Sequence, residues 1–116
     1  MEEIKLGEYV INQNRLVIGK IIEINEEKQE VIIKINNLEI PIGFWNIKKH
    51  NKNIIDLIEC GDYVNGYRID NIINGVLVNR AVGIDRSGVL TPIVQYEQDI
   101  KTILTKERFE QNLYKV

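Results

Sequence analysis

The chain has one cysteine, Cys60, and one histidine, His50. An intramolecular disulfide is therefore excluded, and the two residues alone cannot supply a structural zinc site. No segment approaches the roughly 20 apolar residues of a membrane span. Met1-Glu2-Glu3-Ile4-Lys5 has neither the basic nor the apolar region of an export signal. Neither sign of charge dominates: 15 Lys and Arg stand against 17 Asp and Glu, a net charge of −2. That balance excludes a polyanion-binding surface spread over the whole chain and equally a mimic of nucleic acid. The phosphate-loop lysine, the dinucleotide glycine fingerprint, the zincin helix and the serine elbow are all missing. A cytoplasmic protein with no membrane contact, no metal and no cofactor is expected.

What is present is Ile and Val in quantity, with Asn as the main polar companion. β-Branched side chains suit pleated strands, and Asn tolerates the left-handed conformation of tight turns. At 116 residues the chain buries roughly two thirds of its unfolded surface, enough for a core without staples. Strand periodicity starts at Leu16, where Leu16, Ile18, Ile22 and Ile24 share one face and Lys20 is the exception. After the polar turn Asn25-Glu26-Glu27-Lys28, Val31, Ile33 and Ile35 lie opposite Ile32, Lys34 and Asn36. Leu38, Ile40 and Ile42 alternate next, and Pro41 among them places that strand at a sheet edge or at a bulge.

The period changes once, at Asn53 to Gly61. Ile54, Ile55, Leu57 and Ile58 fit one helical face, with Asn53 as cap, Asp56 at the capping-box offset and Gly61 as the left-handed terminator. This predicts a two-turn helix. Asn65-Gly66 and Asn74-Gly75 then predict two type I′ hairpins. Asp85-Arg86-Ser87-Gly88 predicts a further turn into a strand from Val89 to Tyr96, with Pro92 again marking an edge. A strand from Ile100 to Leu104 follows, and Thr105 caps a closing helix with Phe109 and Leu113 on one face.

Leu6-Gly7-Glu8-Tyr9-Val10 is echoed by Cys60-Gly61-Asp62-Tyr63-Val64. The echo reads either as two related β units or as a common way to begin a strand. The expected fold is mainly β: one or two Src-homology-3-like β-barrel units with a short linking helix and a short C-terminal helix. The division falls at 1–52 and 53–116, unless the two halves form one continuous domain. The Src-homology-3-like pattern is carried by Gly7-Glu8-Tyr9-Val10 before the Gly19-Lys20-Ile21-Ile22 hairpin strand. Barrels of that kind are usually binding modules, a resemblance of pattern only.

A second resemblance rests on the segment from Asn53-Ile54-Ile55-Asp56-Leu57 through Cys60-Gly61-Asp62-Tyr63-Val64-Asn65-Gly66-Tyr67, together with Asp99-Ile100-Lys101-Thr102-Ile103-Leu104-Thr105-Lys106-Glu107 and Phe109. These residues resemble short proteins encoded by phages, prophages and mobile elements of low-GC Gram-positive bacteria. The resemblance covers the second half well, the first half weakly, and departs between Asn79 and Gln98. It implies no activity. It does imply an accessory protein that binds a host protein, counter-defence inhibitors being one such class.

Charge partition marks Phe44-Trp45-Asn46-Ile47-Lys48-Lys49-His50-Asn51-Lys52 as the densest candidate site. Residues 1–43 hold five basic and eight acidic side chains, 44–52 three and none, and 53–116 seven and nine. Phe44, Trp45, Lys48, Lys49, His50 and Lys52 could hold a phosphate or a base. The plainer reading buries Phe44 and Trp45 in the core and leaves the lysines on a solvated linker. His50 and Cys60 lack a third orienting group, and Cys60 at the end of an apolar face reads as a small core residue. Arg68, Arg80 and Arg86, whose guanidinium groups suit an anion, and the aromatic Tyr96 complete the candidates. Three functions are carried forward. They are a non-enzymatic inhibitor of a host protein, a nucleic-acid-binding small barrel, and a sponge or hydrolase for a nucleotide second messenger. Self-association through the proline-marked edges is a further expectation.

Overall fold

The computed structural model describes residues 3–84, 88 and 90–112, without the side chains of 80–84, 90 and 91. The chain is mainly β and divides into two compact units, Met1–Leu57 and Ile58–Val116. Asp85, Arg86 and Ser87 of the predicted turn, and Leu113 of the predicted closing helix, lie outside the described residues.

The first unit contains β1 (Tyr9–Asn12), β2 (Ile18–Asn25), β3 (Glu30–Ile35), β4 (Leu38–Gly43) and β5 (Ile47–Asn51). They form one antiparallel sheet in the order β4-β3-β2-β1-β5. A 3-10 turn, Phe44–Asn46, leads into β5. The sheet is a meander whose last strand returns to pair with the first. A single sheet has no second layer to cover its apolar face, so it must bend around that face. Val10, Ile21, Val31, Ile33, Ile42 and Ile47, drawn from all five strands, accordingly form one core cluster. Each contributes on the order of 1.5–3 kcal/mol by leaving water.

The predicted face of β3 holds, with Val31 and Ile33 fully buried and Ile35 packed against them. The predicted face of β2 does not. Gly19 and Ile21 point inward, Ile22 is exposed, and the register shifts between Ile21 and Glu23 before Ile24 rejoins the core. A β-bulge therefore changes the phase within the strand, and Lys20, the exception to the alternation, was its trace. Pro41 sits on the edge strand β4 as expected.

The predicted two-turn helix is instead a single 3-10 turn, Ile54–Leu57, lying against β1 and β5. Asn53 contributes its carbonyl to Asp56 N–H rather than a side-chain cap. Leu57 closes the first unit and Ile58 opens the second, so the apolar residues do not share one face that would support a longer helix. Arg15, buried and with φ +58°, donates from Nη2 to the Leu57 carbonyl over 3.1 Å and fastens the end of this turn.

The second unit contains β6 (Tyr63–Val64), β7 (Tyr67–Arg68), β8 (Asn71–Ile73), β9 (Val76–Ile84), β10 (Leu90–Gln95) and β11 (Ile103–Leu104). A 3-10 turn, Glu97–Asp99, and a closing helix α1 (Lys106–Gln111) complete it. Its ladders are β11-β6-β7 and β10-β9-β8. Both Asn-Gly dipeptides form the predicted hairpins, with φ +53° and +84° at Asn65 and Gly66 and +50° and +74° at Asn74 and Gly75. Pro92 lies on the edge strand β10, where the register shifts. Thr105 caps α1 by accepting from Arg108 N–H. Among the described residues no helix is long and apolar enough to cross a membrane.

The echo between the halves extends from sequence to hydrogen bonding. Glu8 N–H bonds to the Lys5 carbonyl and Asp62 N–H to the Glu59 carbonyl, closing two turns with Gly7 and Gly61 at positive φ, +85° and +97°. Gly7 N–H donates to the Ile21 carbonyl and Ile21 N–H to the Glu8 carbonyl. Gly61 and Ile69 repeat this, with Ile69 N–H donating to the Asp62 carbonyl. Tyr9 faces Lys20 as Tyr63 faces Arg68, and Val10 faces His50 as Val64 faces Ile103. In both units the first strand pairs with the last, and a 3-10 turn precedes that last strand. The shared turn is structural: it launches the first strand of each unit.

Candidate functional site

The 3-10 turn Phe44–Asn46 separates two neighbouring aromatic rings. Phe44 packs against the core, whereas Trp45 is 82% exposed. The expectation that both rings are core is thus half wrong. A one-turn helix rotates successive side chains by about a third of a circle, so inward Phe44 forces Trp45 outward. The indole leans on Gly43, where any Cβ would collide with Nε1 and would stand 2.8 Å from Cδ1. Gly43 is therefore a seat for the ring, and its lack of a side chain permits the close approach.

β5 continues from this turn. Ile47 is buried and Lys48 exposed, and the register with β1 passes from Ile47 to Lys49, so Lys48 is the residue left out of the ladder. Among the described residues neither Lys48 nor Lys52 makes a hydrogen bond or ion pair, and both are exposed. Lys49 is committed, with Nζ 2.6 Å from the Asp56 carbonyl oxygen. His50 is committed too: Nδ1 donates to Glu8 Oε1 at 3.0 Å, and the two side chains are only 8% and 16% exposed. It ties β5 to the opening turn. Of the six residues marked by charge and aromaticity, Trp45, Lys48 and Lys52 are thus exposed without a side-chain partner, while Phe44, Lys49 and His50 are engaged within the unit.

Arg68 lies in the second unit, on the rim of an open depression of about 520 Å³ whose walls include Cys60, Tyr63, Lys106 and Phe109. Tyr63 and Phe109 stack there with centroids 4.7 Å apart. Cys60 is exposed, which corrects its reading as a core residue. It occupies the corner of the duplicated turn, matched by exposed Leu6 in the first unit, and a turn corner directs its side chain to solvent. Arg68 and Lys106 on the wall are offset by Asp70 and Glu110, and Lys106 is 3.4 Å from Glu59. The depression therefore carries no excess of positive charge with which to hold a phosphate. Tyr96 is half-exposed at the start of the 3-10 turn Glu97–Asp99, remote in sequence from Trp45 but at the corresponding corner of its own unit. Arg86 and the side chain of Arg80 lie outside the described residues.

Sequence reasoning missed one polar hub. Asn65, read only as a turn residue, donates from Nδ2 to Gln95 Oε1 (2.6 Å) and the Asp99 carbonyl (2.7 Å). Its Oδ1 accepts from Lys101 N–H (2.9 Å) and Thr102 N–H (3.0 Å). Gln95 in turn donates to the Val64 carbonyl. These amides reinforce β6 and β11, whose ladder is only two residues long, and no local sequence signal announces partners thirty or more positions away. Comparison with protein-family models, curated proteins and solved structures gives no match to this chain.

Proposed function

We propose that the chain is a non-enzymatic binding protein that docks onto a host protein through the Trp45 corner of its first unit. The observation that carries this reading is the indole, 82% exposed yet seated on Gly43. A large ring with only two side-chain torsions loses little conformational freedom on binding, and Trp is enriched among the residues that dominate interface energetics. The resemblance of the second half to accessory proteins of mobile elements supports a host protein as the partner, with inhibition, including counter-defence, as the outcome of docking. Burial supports the non-enzymatic part of the reading, since the His50 side chain is only 8% exposed.

The test is capture from a low-GC Gram-positive lysate on immobilised wild-type chain and on W45Q. Wild type is expected to retain a stoichiometric protein that W45Q releases. Identical retention by both, or none by either, contradicts the reading. A second reading has its own observation: exposed Trp45 could stack a base, and exposed Lys48 and Lys52, three and seven residues further along the chain, could meet phosphate. Nuclease treatment of the lysate before capture would then abolish retention.

A further inference from the structure

The duplicated architecture supplies an internal control for the Trp45 corner. Ile47 N–H closes the first 3-10 turn on the Phe44 carbonyl, and Ile100 N–H closes the second on the Glu97 carbonyl. Three residues further on, His50 and Ile103 face Val10 and Val64. The two segments therefore superpose in sequence without a gap, Phe44 on Glu97, Trp45 on Gln98, Asn46 on Asp99 and Lys48 on Lys101. The same turn and the same strand return are built in the second unit with Gln98, exposed, where the first has Trp45. An indole is not needed to make this corner. Its presence on one copy alone marks a property added to the scaffold rather than required by it.

The charges of the two corners diverge in the same way. Phe44 to Lys52 carries three lysines and no acid, whereas Glu97-Gln98-Asp99 carries two acids before Lys101. From this contrast we infer that the partner of the Trp45 corner is a protein surface bearing an apolar slot for the indole, rimmed by carboxylates that meet Lys48 and Lys52. The inference rests on the docking reading above and adds the chemistry of the partner. A protein is favoured over nucleic acid because only two of the three ammonium groups are free and the rest of the chain is acidic. Two or three phosphate contacts give little affinity at physiological salt. A protein surface adds burial of the indole itself, with rim charges setting encounter rate and selectivity.

Trp45 is the only tryptophan, so intrinsic fluorescence reports on this corner alone. The wild-type chain is titrated at low salt with the peptide Glu-Glu-Leu-Glu-Glu-Phe-Glu-Glu, with its Gln-for-Glu counterpart, and with a twelve-residue oligothymidylate. A blue shift with the acidic peptide, weakened more than about tenfold in K48E/K52E and absent with the neutral peptide, is expected. An equal shift with the neutral peptide overturns the inference, and so does no shift with either peptide. A stronger response to the oligothymidylate overturns it in favour of nucleic acid. K48Q/K52Q guards against misfolding in the charge-reversed variant and is expected to give an intermediate loss. If Trp45-dependent capture from lysate persists while the acidic peptide fails, docking stands and the partner chemistry falls. If capture is independent of Trp45, the docking reading itself falls.

Discussion

Glu8 and Asp62 hold the same place in two copies of one turn, Glu8 reaching from it to β5 and Asp62 to the first residue of α1. Glu8 Oε1 accepts from Lys5 N–H at 2.8 Å and meets His50 Nδ1 at 3.0 Å. Asp62 Oδ2 accepts from Glu59 N–H at 2.9 Å, and Oδ1 accepts from Lys106 N–H at 3.0 Å. The difference is burial: Asp62 is fully buried and Glu8 is partly exposed. Leaving backbone donors unmet costs about 1–3 kcal/mol each when water cannot replace the acceptor. D62A is therefore expected to lower the stability of the second unit by about 2–4 kcal/mol, and E8A to lower that of the first by only about 1 kcal/mol. Denaturant unfolding followed by hydrogen exchange in each unit separates the two.

The two Asn-Gly hairpins look alike in sequence and should respond differently to the same change. Glycine keeps the positive φ of either turn, so N74G is expected to alter stability by less than about 0.5 kcal/mol. N65G retains the turn but removes the amide that bonds Gln95, Asp99, Lys101 and Thr102. A loss of about 2–4 kcal/mol is expected. Thermal melts of the two variants side by side would expose an error, because equal midpoints contradict the hub.

Gly19 is buried in β2 against the end of β3. A Cβ there would stand 2.8 Å from the Lys34 carbonyl oxygen and 2.9 Å from Ile35 Cγ1. Backbone cannot swing aside as a side-chain tip can, so G19A is expected to cost about 1–3 kcal/mol, in the range of overpacked cores. A neutral G19A, judged by its urea midpoint, would show that the sheet has room the geometry denies.

Turns, edges and caps were the legible part of this sequence, because a single residue type sets their backbone conformation. Asn65-Gly66 and Asn74-Gly75 needed φ > 0, Pro41 and Pro92 lacked a donor, and Thr105 offered an oxygen to a helix start. The Glu8 and Asp62 turns were visible as an echo, though only their hydrogen bonds show that one turn was built twice. Features set by neighbours distant in the chain were not legible. The bulge in β2 depends on its pairing with β3, and the short 3-10 turn at Ile54–Leu57 on the fact that Leu57 and Ile58 serve different units. For the candidate site, the cluster was found but its sorting was not. Phe44 and Trp45 are equally apolar as letters, and only the handedness of a one-turn helix and the bare surface of Gly43 send one ring inward and the other out.

W45Q places at residue 45 the side chain that the second unit already carries at Gln98. Its denaturant midpoint is expected to lie within about 0.5 kcal/mol of wild type, the usual range for a surface change.

The measurement that bears most directly on the central claim is calorimetric titration of wild type and W45Q with the host protein that wild type captures, made on samples whose unfolding midpoints have been recorded. An unchanged midpoint with an affinity lower by about thirtyfold or more, the scale of an interface hot spot, is the result expected of a ring displayed for binding. Equal affinities would contradict that account, and so would a W45Q chain that fails to fold.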